Sequence, residues 1–335
     1  MSRFIKVSAP ARIDFGGSTL DLSPITKFFP QNVVTNLAIS LRTEVILSGR
    51  KTGVSIKNTK DSTEHIFDNT GMMKDDRTLR LFYEALKARG IENGVEIRVT
   101  TGSPYGAGLG GSSVLLTALL KALDIFMERD IDDVELIDGA AEIESRIIGG
   151  PTGKQDYIAA VHGGLNAVRF PEGASPKIER LETPPCKLSD ILYVFFTGKA
   201  HFSGDNNFTI AERCLSGNKE YIDSLRRIEE NSIKIYGALK DFYTDSLIAA
   251  LRDEMRIRRD ILPSFTNEKI DQIERKIIRM GGALKVCGAG GGGSVFVITP
   301  GILRDRMKQL ADDMKIELLD CGPDPDGLIV EAKEN

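Results

Sequence analysis

The sequence contains no tryptophan, three histidines and four cysteines among 335 residues. His65, His162 and His201 are scattered, which argues against a histidine-built metal centre. Cys186, Cys214, Cys287 and Cys321 show none of the close pairings of zinc sites or redox motifs, so they read as buried or idle thiols of a reducing compartment. An excess of positive charge is also missing. The 44 Lys and Arg face 48 Asp and Glu, a formal net charge of -4. A nucleic-acid-binding surface is therefore not expected, and any anionic ligand has to be held locally. No uninterrupted apolar run reaches the roughly 18 residues that a membrane helix needs, and residues 1–10 lack the apolar core of a signal peptide. The expectation is a cytoplasmic protein without membrane or nucleic-acid partners, with monomer and homodimer left open.

What remains is an ordinary globular composition, 41% hydrophobic and 27% charged, with 33 glycines. The length favours two packed domains over one. Period-two β-branched runs at 4–7, 36–47, 53–56 and 95–100 predict strands. Apolar stripes with capping signals predict helices at 79–89, 112–128 and 132–148, the last stopped by Gly149, Gly150 and Pro151. A strand at 165–170 leads into a Pro-, Glu-, Gly- and Ser-rich stretch, 171–185, which is the candidate domain boundary. Beyond it come a strand at 191–196, helices across 209–280, and closing strands at 284–287, 294–299, 316–320 and 327–331. That order predicts an α+β layer with helices on a mainly antiparallel sheet.

The candidate functional segment is Pro104, Tyr105, Gly106, Ala107, Gly108, Leu109, Gly110, Gly111, Ser112 and Ser113, placed between a strand and a helix. Backbone N–H groups at a helix start lack internal partners and face the positive end of the helix dipole, and glycines let phosphate oxygens approach the backbone. Gly106, Gly108 and Gly111 also satisfy a dinucleotide fingerprint, but the parallel strand and acidic residue it requires do not follow. The lysine-containing phosphate loop is absent. Protein-kinase-like triplets occur in the wrong order. A tight turn without function stays open for the segment taken alone.

Three segments in order carry more. They are Ala9 to Asp21 (APARIDFGGSTLD), the glycine-serine loop, and Lys285 to Gly293 (KVCGAGGGG). Together they resemble the GHMP kinases, named for galactokinase, homoserine kinase, mevalonate kinase and phosphomevalonate kinase. Within that family the chain is most similar to the heptose-phosphate and fucose-type sugar kinases. The resemblance implies a two-domain α+β fold, with an N-terminal ribosomal-protein-like α/β domain (1–184), a C-terminal ferredoxin-like domain (185–335) and a cleft between them. It also implies ATP and Mg2+, and a sugar or sugar phosphate as the small-molecule partner. A mevalonate-pathway kinase of the same fold and a non-catalytic nucleotide- or sugar-sensing regulator are the alternatives.

By the same resemblance Asp156 is the catalytic aspartate and Arg12 its neighbouring cation. The loop from Pro104 to Ser113 cradles the triphosphate. Ser113 and Glu144 hold the metal, although the extra Gly111 leaves Ser112 in contention. Thr19, Asp21, Lys154 and Gly290 are implied at the substrate. Bland readings stand beside these. Asp156 could cap a helix, Glu144 could lie on a solvated helix face, Lys154 could be a surface lysine, and the polar stretch Thr197 to Asn207 could be an ordinary loop.

Overall fold

The computed structural model describes residues 3–23, 25–182, 185–198 and 204–334. The first half opens with β1 (Arg3–Gly16), β2 (Val34–Gly49), β3 (Val54–Asn58) and β4 (Glu64–Phe67). It continues through α1 (Arg80–Ala88), β5 (Val95–Thr100), α2 (Gly111–Phe126), α3 (Asp133–Ile148), α4 (Gln155–His162), β6 (Leu165–Arg169) and β7 (Lys177–Arg180). The second half runs α5 (Pro185–Ile191), β8 (Leu192–Phe196), α6 (Gly204–Leu215), α7 (Lys219–Lys240), α8 (Thr244–Ile261) and α9 (Glu268–Arg279). It ends with β9 (Ala283–Val286), β10 (Ser294–Ile298), α10 (Arg304–Met314), β11 (Glu317–Leu319) and β12 (Ile329–Glu334).

Two sheets result, in keeping with the two-domain α+β fold expected. The larger has the order β12-β1-β2-β5-β3-β4, with β6 and β7 branching from β2. All of its pairings are antiparallel except that of β3 with β5. The smaller, β11-β8-β10-β9, is antiparallel throughout, the 4-1-3-2 order of a ferredoxin-like unit. The closing strand assigned by sequence to the second half returns instead to the first sheet, where Ser8 pairs with Ile329 and Phe4 with Lys333. Arg42 fastens the approach to it, donating to the Asp324 carboxylate at 2.7 Å and to the Gly327 carbonyl at 2.5 Å. The expected boundary at 184 and 185 adjoins residues 183 and 184, which lie outside the described residues.

β1 shows how one strand serves two cores. Ile5, Val7 and Ala9 pack with α1 to α4. Past a register shift between Pro10 and Ala11, Ala11, Ile13 and Phe15 pack with Ile235, Leu239 and Phe296 from the second half. Alternation along the strand leaves Arg12 and Asp14 on the opposite face. The first motif up to Gly16 is therefore strand, buried from both sides, with Arg12 and Asp14 sharing one face.

Candidate active site

The glycine-serine loop delivers the chain into α2, whose start is fixed by Gly110 in the left-handed region (φ 76°). A side chain there would be strained, and its Cβ would lie 3.3 Å from the Asp156 carboxylate. Gly108 is needed for a second reason, because a Cβ would lie 2.7 Å from the Cys287 carbonyl oxygen. That contact comes from the third motif. Its glycine run lies on the loop backbone, the Ser294 N–H donating to the Ala107 carbonyl at 2.7 Å. Pro104 closes the loop's own turn by accepting from the Ala107 N–H, and Gly106 takes positive φ. Tyr105 stands at the tip, 94% exposed.

Against this loop sits the ion pair of the cleft. Arg12 grips Asp156 with both prongs, Nε to Oδ1 at 2.6 Å and Nη2 to Oδ2 at 2.8 Å, and its Nη1 donates to the Gly108 carbonyl at 2.7 Å. The Arg12 backbone N–H also reaches the Leu109 carbonyl. Burial works against the Arg12 cation, but Asp156 and then Asp14 outweigh it and leave the guanidinium still harder to deprotonate. Asp156 lies in the first turn of α4, where the helix dipole favours a carboxylate. The N-cap of α4 is Lys154, without a side-chain cap bond. The capping role considered for Asp156 is thus replaced by the pairing with Arg12.

Asp21 enters the same region from the first motif. It is 4% exposed and its Oδ2 accepts from the Gln155 N–H at 3.2 Å. Burial, with a smaller contribution from Asp156, pushes its carboxyl up to about 6, although the Gln155 N–H pulls the other way. Gly153 makes this approach possible, since a Cβ there would lie 2.0 Å from Asp21 Oδ2. Beneath α4, Asn166 donates to Asn36, which donates to the Gln155 carbonyl, so a buried amide chain sets the start of the helix.

Glu144 and Ser113 meet on the other side. Ser113 Oγ donates to Glu144 Oε2 at 2.8 Å, the Tyr157 hydroxyl donates to the same oxygen, and Ser112 supplies a further hydrogen bond. Ser113 is buried, whereas Ser112 is exposed. Glu142, two residues away, is an exposed partner of Arg146 at 2.7 Å. The solvated-face reading therefore fits Glu142 and fails for Glu144. Burial raises the Glu144 carboxyl above its ordinary value, and among the described residues no Lys or Arg pairs with it. A buried carboxylate and a hydroxyl without a cation are hard oxygen ligands matched to a divalent metal. No group of three or more His, Cys, Asp or Glu able to hold a metal occurs among the described residues. Such an ion would need further oxygens from a phosphate ligand.

Other expected residues fall elsewhere. The Lys154 ammonium pairs with Asp138 at the surface, 2.6 Å away, which matches its bland reading. Thr19, with an unusual φ of 88°, lines a small cavity with Ile210, Leu225, Arg258, Phe265 and Ala289. Gly290 packs on Phe265, where a Cβ would collide with the ring. Of the stretch from Thr197 to Asn207, residues 199–203 lie outside the described residues. Sequence reasoning missed the fully buried pair of Lys285 with Asp14, the Tyr157 bond to Glu144, and Arg258, which joins Glu254 to Ser18. A signal existed for the first, because Lys285 is the single charge in the buried strand Ala-Leu-Lys-Val.

A glycine loop at a helix start, a bidentate Arg-Asp pair and a buried carboxylate-hydroxyl pair lie together on this two-sheet fold, an arrangement suited to a small-molecule kinase. Residues 76–164 match the family model described as GHMP kinases N terminal domain. Along most of its length the chain is similar to curated sugar and sugar-phosphate kinases. It is 26% identical to the bifunctional fucokinase/GDP-fucose pyrophosphorylase of Arabidopsis thaliana across 94% of its own length, and spans 32% of that protein. It is 24% identical to the D-glycero-alpha-D-manno-heptose 7-phosphate kinase of Campylobacter jejuni, across 87% of this chain and 88% of the other. In fold it is similar to a D-glycero-D-manno-heptose 1-phosphate kinase from Bacteriodes thetaiotaomicron, with a TM-score of 0.78, 18% identity and coverage of 99% and 100% of the two chains.

Proposed function

We propose that the chain transfers the γ-phosphoryl group of ATP to a hydroxyl of a sugar or sugar phosphate, with Asp156 facing the accepting hydroxyl. The observation that carries this is the Arg12–Asp156 pair, locked to the glycine loop through the Gly108 carbonyl. Backbone N–H groups at the start of α2 bind the phosphates. Ser113 and Glu144 would hold magnesium, which would neutralise charge on the phosphate oxygens. Asp156 orients the acceptor oxygen in line with the phosphorus and takes its proton late. Each of its oxygens already accepts from Arg12, so it is a weak base, which suits a loose transition state that asks mainly for positioning.

Asp21 accepts hydrogen bonds from acceptor hydroxyls. A buried carboxylate there favours a polyol and repels the carboxylate of a mevalonate-type acceptor, and the names of the relatives point to sugars as well. The reading includes a cytoplasmic location, in keeping with Cys214, Cys287 and Cys321 being free thiols. The test is ADP release together with product mass over hexoses, deoxyhexoses, heptose phosphates, mevalonate and homoserine. Phosphorylated sugar is expected. Turnover confined to mevalonate or homoserine would refute the sugar assignment.

A further inference from the structure

Lys285 of β9 and Asp14 of β1 form an ion pair with both side chains 0% exposed, joining the small sheet to the large one. Removing two charges from water costs several kcal/mol per ion, and an apolar pair of the same volume is commonly as stable. Stability is therefore a weak reason for this pair. Its surroundings give a better one. Asp14 lies two residues from Arg12 on the same face of β1. Its Oδ2 is buried with no hydrogen-bond partner, and its charge acts on the Arg12 guanidinium. Arg12 is thus subject to two carboxylates, Asp156, which holds it through Nε and Nη2, and Asp14, two residues along the same strand face, which has an unused oxygen. Arg258, another cation acting on Asp14, is itself engaged by Glu254 at 2.8 Å.

Building on the kinase reading, we propose that Lys285 is a positioning residue: by holding Asp14 it leaves the Arg12 guanidinium to Asp156. Lys285 stands at the head of the third motif, so that segment does two things. Its glycines support the phosphate loop, and its lysine keeps the Arg12–Asp156 pair assembled. A lone Asp14 charge would draw Arg12 away, and Asp156 would lose the partner that fixes its orientation.

The experiment compares wild type, Lys285→Met and the double variant Asp14→Asn/Lys285→Met, by crystal structure and by steady-state kinetics with the acceptor found above. In Lys285→Met the Arg12 guanidinium is expected on Asp14, with kcat down about 100-fold and KM for ATP and acceptor within about threefold of wild type. The double variant removes both the holder and the competitor. It is expected to show Arg12 on Asp156 and to recover kcat to within about fivefold of wild type. A merely structural bridge would recover in the double variant as well, but it would leave Arg12 on Asp156 in Lys285→Met, so the place of Arg12 in the single variant separates the two roles. Arg12 still bidentate on Asp156 in Lys285→Met, or a double variant as slow as the single, overturns the proposal. Should Lys285→Met not fold, Lys285→Gln, which removes the charge but keeps a hydrogen-bond donor for Asp14, is read in its place, with Arg12 on Asp14 expected and Arg12 still bidentate on Asp156 overturning the proposal. If no sugar is turned over, the functional reading fails, while the place of Arg12 in the two crystal structures still settles the role of Lys285.

Discussion

Two glycine-rich segments, 106–111 and 288–293, look alike in sequence and act differently in the structure. The first leads into the 16-residue helix α2, so its backbone N–H groups converge at a helix start. The second joins the antiparallel strands β9 and β10, with no helix behind it, and its backbone lies on the first. Glycine content alone therefore does not make a helix-start anion cradle; the element that follows does. The second run still requires its glycines, because two backbones meet where side chains would stand.

That contrast can be broken at single positions. Gly293 has φ 75° and a Cβ there would lie 2.8 Å from the Ala107 carbonyl oxygen, an unyielding backbone atom. Gly293→Ala is expected to cost about 4 kcal/mol in denaturant unfolding, from left-handed strain plus overpacking, and to weaken ATP binding through the displaced loop. Gly110→Ala should act on turnover instead, lowering kcat about 100-fold by crowding Asp156, with a smaller loss of stability. If Gly293→Ala affected only kcat and Gly110→Ala only stability, the division of labour would be reversed.

Asp21 sharpens the comparison from the acceptor side. Its carboxyl is raised to about 6 from 3.8, so the folded state holds the proton more tightly than the unfolded chain. The cost of ionising it in the fold is absent below about pH 4, grows as pH rises, and is complete above about pH 6. Asp21→Asn should therefore melt higher than wild type at pH 8, by on the order of 2–3 kcal/mol, with the difference closing towards pH 4, while KM for the acceptor rises. Equal melting of the two proteins at pH 8 would remove this carboxyl from the account. The smallest effect is expected at Gly139, inside α3, where an added methyl group would meet nothing within 4 Å. Gly139→Ala should stabilise by about 0.5–1 kcal/mol without altering kcat, marking it as a glycine with no backbone task.

Local structure was legible in the sequence where local chemistry decides it. The helix predicted at 132–148 is observed at Asp133–Ile148 because Asp132 caps it, accepting from the Glu135 N–H, and Gly149 ends it in the left-handed region. The pairing of residues 3–8 with 329–334 was not legible, since an alternating strand does not say which sheet it joins. Helix α10 was overlooked among polar residues, and β4, an exposed edge strand, carries little apolar signal. In the site, the resemblance named Arg12, Asp156 and the loop, and the fold brings them together. Partners that depend on long-range approach, Lys285 with Asp14 and Tyr157 with Glu144, emerged only from the fold. For Lys154, one of the residues expected at the substrate, the fold supplies a partner that the sequence did not name, Asp138 of α3.

The central claim is that Asp156, oriented by Arg12, faces the accepting hydroxyl beside a phosphate loop. Its most direct test is kcat for phosphoryl transfer to a sugar acceptor by Asp156→Asn, measured alongside the affinity of the same variant for magnesium-ATP. A fall in kcat of about 1,000-fold or more, with nucleotide affinity within about threefold of wild type, is predicted. Retention of kcat within a few-fold by a folded, nucleotide-binding Asp156→Asn would contradict it.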